Sequence, residues 1–395
     1  MRVPGLGSIA SMIDMIAYVA KGEYLFLPHE TLVGAGVSRY DIANDTSVVL
    51  FRGDTGGLTG NWANDWGAFD PSTWTTNGTL FLAEEWSGQG RVIEVLNPMA
   101  DPADIEIREL ESVANVSHEG LRFSNDGRTL YFVDEFNSGS IYKLVLKNPR
   151  DYAAGGQTFV LKIDAFNGDV AADYNAPVNA KQPRTGAASW VALTDEDGNP
   201  LTATDPFANA LPGIERAGRK AADEAGGTPY GRPEDIEVGR LANGREVVYF
   251  AATSENTVYT IEMMPGKQAS RATVKVLLSD AGTPKNAGFA ATTGRINSPD
   301  NLAQDRFGNI YVIEDAPNGS STGGDIWFAR DANGDGVAES ADHFMSIRVA
   351  GSEATGMIFN PKNPDEFAVA VQHPNSTGDA VNGFGDAIWS FDMSA

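Results

Sequence analysis

No cysteine occurs among the 395 residues. That excludes a disulfide framework, a thiolate nucleophile and any Cys-ligated zinc site. Histidine is scarce as well. The four present (His29, His118, His343 and His373) are scattered, and none stands in the H-E-x-x-H spacing of a zinc protease. Positive charge is the minority: 29 Lys and Arg stand against 53 Asp and Glu, a formal net charge of −24. Such a field repels nucleic acid and anionic membranes, so neither is expected as a partner. The seven Trp do not interleave with basic runs, so stacking on nucleic acid has no support. No long hydrophobic run is present. Residues 9–20 are apolar, but too short to span a bilayer and interrupted by Asp14. They carry neither a basic n-region nor a cleavage site, and read as the first ordered element of a chain whose leader is not in the sequence. A phosphate-binding Walker loop is missing.

What is present points to an all-β fold. Hydrophobic residues make up 42%, enough for a core, and 43 Gly with 20 Pro supply the turns that many short strands need. One pattern repeats: a short apolar strand, most often ending in an acidic or His-acidic pair. It occurs at residues 24–31, 79–86, 129–136, 247–254, 309–316 and 367–374. Six copies at a spacing of roughly 50–60 residues, with one longer gap, predict a six-bladed β-propeller of four-stranded blades. The strands are continuously apolar, as expected when neighbouring blades cover both faces. Polar residues at a common strand end would ring one mouth of the central channel. The alternative is a sandwich in which these acids merely start turns. The long gap predicts an insertion over residues 151–228, an extra strand followed by helix, lying over one face. The helical part is Ala-rich and charged and stops at Gly226-Gly227. The whole of 1–395 is expected to form one propeller domain.

Four motif groups carry candidate chemistry. His118-Glu119 precede one strand and Asp134-Glu135 end the next, a clustering of oxygen donors that suits hard divalent cations. Arg232 and Glu234 lie two apart on an extended segment, either a structural ion pair or a phosphate clamp beside a metal ligand. Asp300 and Asn301 precede the strand that ends in Glu314-Asp315. Asp300 and Glu314 are candidate ligands, and Asn301 offers an oxygen and a donor amide, unless it only closes an Asx turn after Pro299. Residues 331–342 place Asp331, Asn333 and Asp335 at loop positions one, three and five, with Gly336, Glu339 and Asp342 following. This is the spacing of an EF-hand-like calcium loop, whose expected role is structural; the alternative is a polar turn.

Together these motifs resemble the PhoX family of alkaline phosphatases, in order along most of the chain. The His29-Glu30-Thr31 segment, the LAEEW strand end, HEG, the W-V-A-L strand, AADEAGGTPYGRPED, SPDNL, GSEATG and VQHP carry the resemblance. It implies a propeller with calcium, and in the family ferric iron, at the channel mouth, hydrolysis of phosphate monoesters, and export. Carried over by motif, Glu85, Glu119, the Asp134/Glu135 pair, Glu234 and Asp300 look like metal ligands. Arg232 looks like the phosphate-binding residue. The family's iron site uses a cysteine upstream of its C-E-E strand end; the ungapped equivalent here is Asp70. An iron–thiolate centre is therefore excluded, and Asp70 is the candidate oxygen ligand in its place. The expectation is a calcium-dependent phosphomonoesterase binding several calcium ions, with iron possible only without a Cys ligand. Its partner would be a small phosphate ester, its state a monomer, its location periplasmic or secreted. Two alternatives stay open. One is a calcium propeller hydrolase of lactones or phosphotriesters with His118 as base. The other is a non-catalytic, calcium-stabilised binding propeller.

Overall fold

The computed structural model describes residues 12–209, 215–286, 294–315, 324–373 and 386–394. Residues 9–11, 210–214, Ala316 and Pro374, which fall in segments read above, lie outside them. Six sheets' worth of strands surround one axis. Blade one comprises Ala17–Tyr18, Tyr24–Pro28, Gly36–Asp41 and Thr46–Arg52, and blade two Phe69–Trp74, Leu80–Glu84, Val92–Val95 and Ile107–Glu109. Blade three comprises His118–Phe123, Thr129–Asp134, Ile141–Leu146 and Gly156–Ile163; blade four comprises Pro233–Arg240, Glu246–Ala252, Thr257–Met263 and Arg271–Ser279. Blade five holds Pro299–Gln304, Ile310–Glu314, Asp325–Arg330 and Ser340–Ser346, with Lys285–Asn286 added parallel to its outer edge. Blade six holds Glu353–Phe359, Glu366–Gln372 and Ala387–Asp392. The six repeated segments are the second strands of the six blades.

The apolar continuity of those strands has a direct cause. Side chains alternate across a strand, and here each face meets a different blade. Leu130 and Phe132 pack toward blade two, whereas Tyr131 and Val133 pack toward blade four. Val248 and Phe250 face blade three, and Val247 and Tyr249 face blade five. Six hydrophobic clusters result, one per blade interface. The sixth joins Ile13, Ile16, Leu25 and Leu27 to Ala368 and Ala370, closing the ring between blades six and one. Each fully buried side chain of this kind contributes about 1.5–3 kcal/mol. The junction is tight. Thr355 Oγ1 donates to the Ile13 carbonyl at 3.0 Å, and a Cβ on Gly356 would come within 2.3 Å of the Asp14 carbonyl oxygen.

The expected insertion is shorter than read from sequence. Gly156–Ile163 is the outermost strand of blade three, because Val160 and Leu161 bury opposite faces in the two adjoining clusters. Beyond it, Gly186–Ala192 pairs with the outer strands of blades three and four and fuses them into a nine-stranded sheet, which covers both edges. The helix Ala217–Ala225 then ends at Gly226, whose φ of 81° lets its N–H reach back to the Ala222 and Asp223 carbonyls. Among the described residues no helix is long and apolar enough to cross a membrane.

Candidate metal centre

The inner strands begin alike. Met12, Ala68, Arg232 and Ser298 precede the inner strands of blades one, two, four and five, and all have φ between 41° and 51°. That conformation is costly for a residue with a Cβ. The carbonyls of Met12, Ala68, Ser117 and Ser298 accept the backbone N–H of Glu30, Glu85, Glu135 and Asp315 at 2.8–3.0 Å. In blades two to five the inner strand next bulges, with two residues left out of the ladder. The first bulged residue is Asp70, Glu119, Glu234 or Asp300. Asp14 takes the corresponding place in blade one. Blade six departs from this pattern: its bulge comes two pairs further along, at Gly356-Met357, where blade one approaches too closely for a side chain.

The result is a ring of acids at one end of the channel. Asp14, Asp70, Glu85, Glu119, Glu234 and Asp300 are each no more than 8% exposed. They fall into three linked groups, each offering oxygens within 4.8 Å of one another: Asp14 with Glu30 and Asp70, Asp70 with Glu85 and Glu119, and Glu119 with Glu234 and Asp300. Asp70 and Glu119 are each shared by two groups. Burial first, and then repulsion among these acids and their neighbours Glu30, Asp315 and Glu353, hold Asp14, Asp70, Glu85, Glu119 and Asp300 well above the usual carboxylate range. Glu234 is raised by burial against the opposing pull of Arg232. Burial brings Glu30 to about 7 and Asp315 to about 8.

A cation fits this site. The donors are all carboxylate oxygens, the preference of calcium rather than of zinc or copper. Asp70 Oδ1, Glu85 Oε2 and Asn301 Oδ1 are buried without a hydrogen-bond partner, a cost that coordination would remove. Uncompensated buried carboxylates would otherwise keep their protons.

Arg232 stands beside the ring. Its Nε donates to Glu135, and its second guanidinium nitrogen lies 3.2 Å from Glu234 Oε1. Glu234, and then Glu135, raise its pKa further. The side chain stays 38% exposed, so one side of the guanidinium remains open to a ligand.

The structure gathers Asp70, Glu85, Glu119, Glu234 and Asp300 as expected ligands would gather. Glu135 reaches the mouth but binds Arg232 instead of joining the three groups. Several other candidates lie elsewhere. Asp134 and Glu314 are the first residues of their acidic pairs, and strand alternation turns them away from the channel. Asp134 accepts the Ser117 N–H at 3.0 Å and two bonds from Arg219. Glu314 accepts the Asn297 N–H at 2.7 Å and the Trp327 indole at 2.8 Å. Glu84 does the same for Gly67 and Arg91. These three acids clamp the loops that enter the inner strands. His118 is wholly buried against Phe132, and burial lowers its pKa to about 3. Its ring faces the Ala114 and Gly90 backbone, whose pull on the ring protons offsets only part of the effect of burial. It sits behind the acid ring in the blade interface and is not placed to act as a base. Asn301 is in the channel, and its amide donates to Asp14 at 3.3 Å.

The Asp331 loop is an outer turn of blade five. Asp331, Asn333 and Asp335 accept backbone N–H groups of the turn itself, and Asp342 pairs with Arg330. The turn is thus closed by its own hydrogen bonds, and none of these residues joins the three carboxylate groups of the channel. Asp14 and Glu30 belong to the site but were not singled out from sequence as ligands. Glu30 had a signal, the strand end it shares with Glu85. Asp14 had only its place as the lone charge in an apolar run.

The sequence matches the family model described as alkaline phosphatase PhoX over residues 57–375. No curated protein matches it in sequence. Among solved structures the fold is similar to Pseudomonas fluorescens PhoX in complex with vanadate, a transition-state analogue. The TM-score is 0.62 at 16% identity, covering 97% of this chain and 88% of that one. Weaker similarity extends to a luciferin-regenerating enzyme, with TM-score 0.44, 11% identity and coverage of 92% and 86%. It also extends to the calcium-binding protein regucalcin of Agrobacterium tumefaciens, with TM-score 0.43, 10% identity and coverage of 97% and 91%.

Proposed function

Since this chain belongs to the alkaline phosphatase PhoX family, we propose that it is a calcium-dependent phosphatase that hydrolyses phosphate monoesters at the acid ring. The observation that carries the reading is the joining of three carboxylate groups with an open guanidinium on one channel mouth. Calcium bound there would reverse the local negative field, polarise the phosphoryl oxygens and stabilise charge on the leaving oxygen. Asp70, Glu85, Glu119, Glu234 and Asp300, with Asp14 and Glu30, would hold the ions. Iron, if present, would be held by oxygen, since Asp70 stands where the family has its cysteine.

Arg232 binds a non-bridging phosphoryl oxygen with its exposed face, while Glu135 and Glu234 fix the plane of the guanidinium. Asn301 orients Asp14 from within the channel. The enzyme acts as a monomer on small phosphate esters, without nucleic acid or membrane partners, in the periplasm or outside the cell. The family's export and the acidic surface support that placement.

Arg232→Ala tests the role of the guanidinium. Loss of one preorganised donor to the transferred group lowers the rate by about 10²–10³-fold. The expected result is a fall of that size in kcat/KM for a phosphate monoester, with bound calcium retained and partial recovery in Arg232→Lys. An unchanged kcat/KM in Arg232→Ala would remove Arg232 from the site.

A further inference from the structure

Two large aromatic side chains stand open at the rim of the channel, in equivalent places on adjacent blades. Trp86 follows Glu85 at the end of the second strand of blade two, and Phe136 follows Glu135 in blade three. They are 42% and 46% exposed. Single exposed apolar residues are ordinary. These two differ because each is held by a polar partner, Trp86 by an acid of the site and Phe136 by an arginine beside it. The Trp86 indole N–H donates to Glu30, a member of the first carboxylate group. The Arg219 guanidinium lies 3.8 Å from the Phe136 ring centroid, and is itself held by two bonds to Asp134. The Arg232 backbone N–H donates to the Phe136 carbonyl at 3.1 Å. The backbones of Arg232 and Phe136 are thus tied together. Leu32, 54% exposed, continues the apolar rim, its carbonyl accepting from Ser87 Oγ at 2.6 Å.

We propose that Trp86 and Phe136 form the leaving-group subsite, and that the preferred substrates are phosphate monoesters whose leaving group carries a flat aromatic or heteroaromatic ring. This rests on the phosphatase reading above. With the phosphoryl group on Arg232, the ester oxygen and its substituent project toward the rim. A ring already held by a polar partner offers a rigid apolar face, so little side-chain freedom is lost when a ligand stacks on it. Each such contact raises affinity by about tenfold or somewhat more.

The test is the binding of phenylphosphonate and methylphosphonate to the calcium-loaded protein, by calorimetry, which does not depend on turnover. Wild type is expected to bind phenylphosphonate at least about tenfold more tightly. In Phe136→Ala and Trp86→Ala that preference falls toward unity, while methylphosphonate affinity holds. Trp86→Phe, which keeps a ring and loses the indole N–H, retains most of the preference. Equal wild-type affinities would overturn the subsite and leave the phosphatase reading standing. Equal weakening of both phosphonates in the alanine variants would also overturn it, because the residues would then act through the carboxylate groups. Binding of neither phosphonate would overturn the phosphatase reading itself.

Discussion

Replacing Glu119 by alanine is expected to lower phosphate-monoester turnover by roughly a thousandfold and to lower the protein's calcium content. Glu119 is 3% exposed and belongs to two of the three carboxylate groups, so its loss opens both. Metal-ion stabilisation of transition-state charge amounts to several kcal/mol, and about 1.4 kcal/mol is one decade in rate. Losing a shared ligand therefore costs several decades. Metal analysis of the purified variant should show fewer bound ions than wild type. Asp331→Ala is the matched control. It removes an acid from a loop with ligand-like spacing that accepts backbone N–H groups of its own turn and lies outside the three carboxylate groups. Both turnover and bound calcium should be unchanged there. If Glu119→Ala keeps its calcium and its rate while Asp331→Ala loses either, the metal centre has been put in the wrong place.

The second large effect concerns pH. With a chelator present, folding stability should fall as pH rises from about 5 to about 9. The folded protein raises its buried acids: Glu30 to about 7, Asp315 to about 8, and the six ring acids well above their usual range. Between the ordinary carboxylate range and these values, the folded state binds more protons than the unfolded chain. Stability then declines with rising pH, by about 1.4 kcal/mol per pH unit for each such proton. Calcium reverses the demand, because ions bind the deprotonated acids and compete with protons. The expected thermal midpoints therefore diverge: chelated protein melts progressively lower toward pH 9, whereas calcium-loaded protein gains most there. A calcium-induced rise in midpoint that is larger at pH 5 than at pH 9 would contradict this.

The propeller was legible in the sequence because its second strands are apolar on both sides and end alike. That follows from blade-on-blade packing, which leaves no polar face to alternate. The same continuity hides the phase of each strand. From residues 129–136 alone, nothing distinguishes the member of the Asp134-Glu135 pair that faces the channel. The structure shows that the first acid clamps the loop before the inner strand and the second stands at the mouth. This is why Asp134 and Glu314 were expected as ligands, and why Asp315 was passed over. The inner-strand acids Asp70, Glu119, Glu234 and Asp300 could be found from motif resemblance, but their common origin in a bulge could not. Asp14 obeys the same geometry inside an apolar run and carried no motif of its own. At the Asp331 loop the acids accept backbone N–H groups of their own turn, a contact that ligand spacing in sequence does not reveal.

The most direct single measurement is hydrolysis of a chromogenic phosphate monoester at alkaline pH by protein stripped with chelator and then titrated with calcium. The expected result is loss of turnover on stripping and its return as calcium is restored. Turnover that survives complete removal of metal, or none under any metal condition, would contradict a calcium-dependent phosphatase at the acid ring.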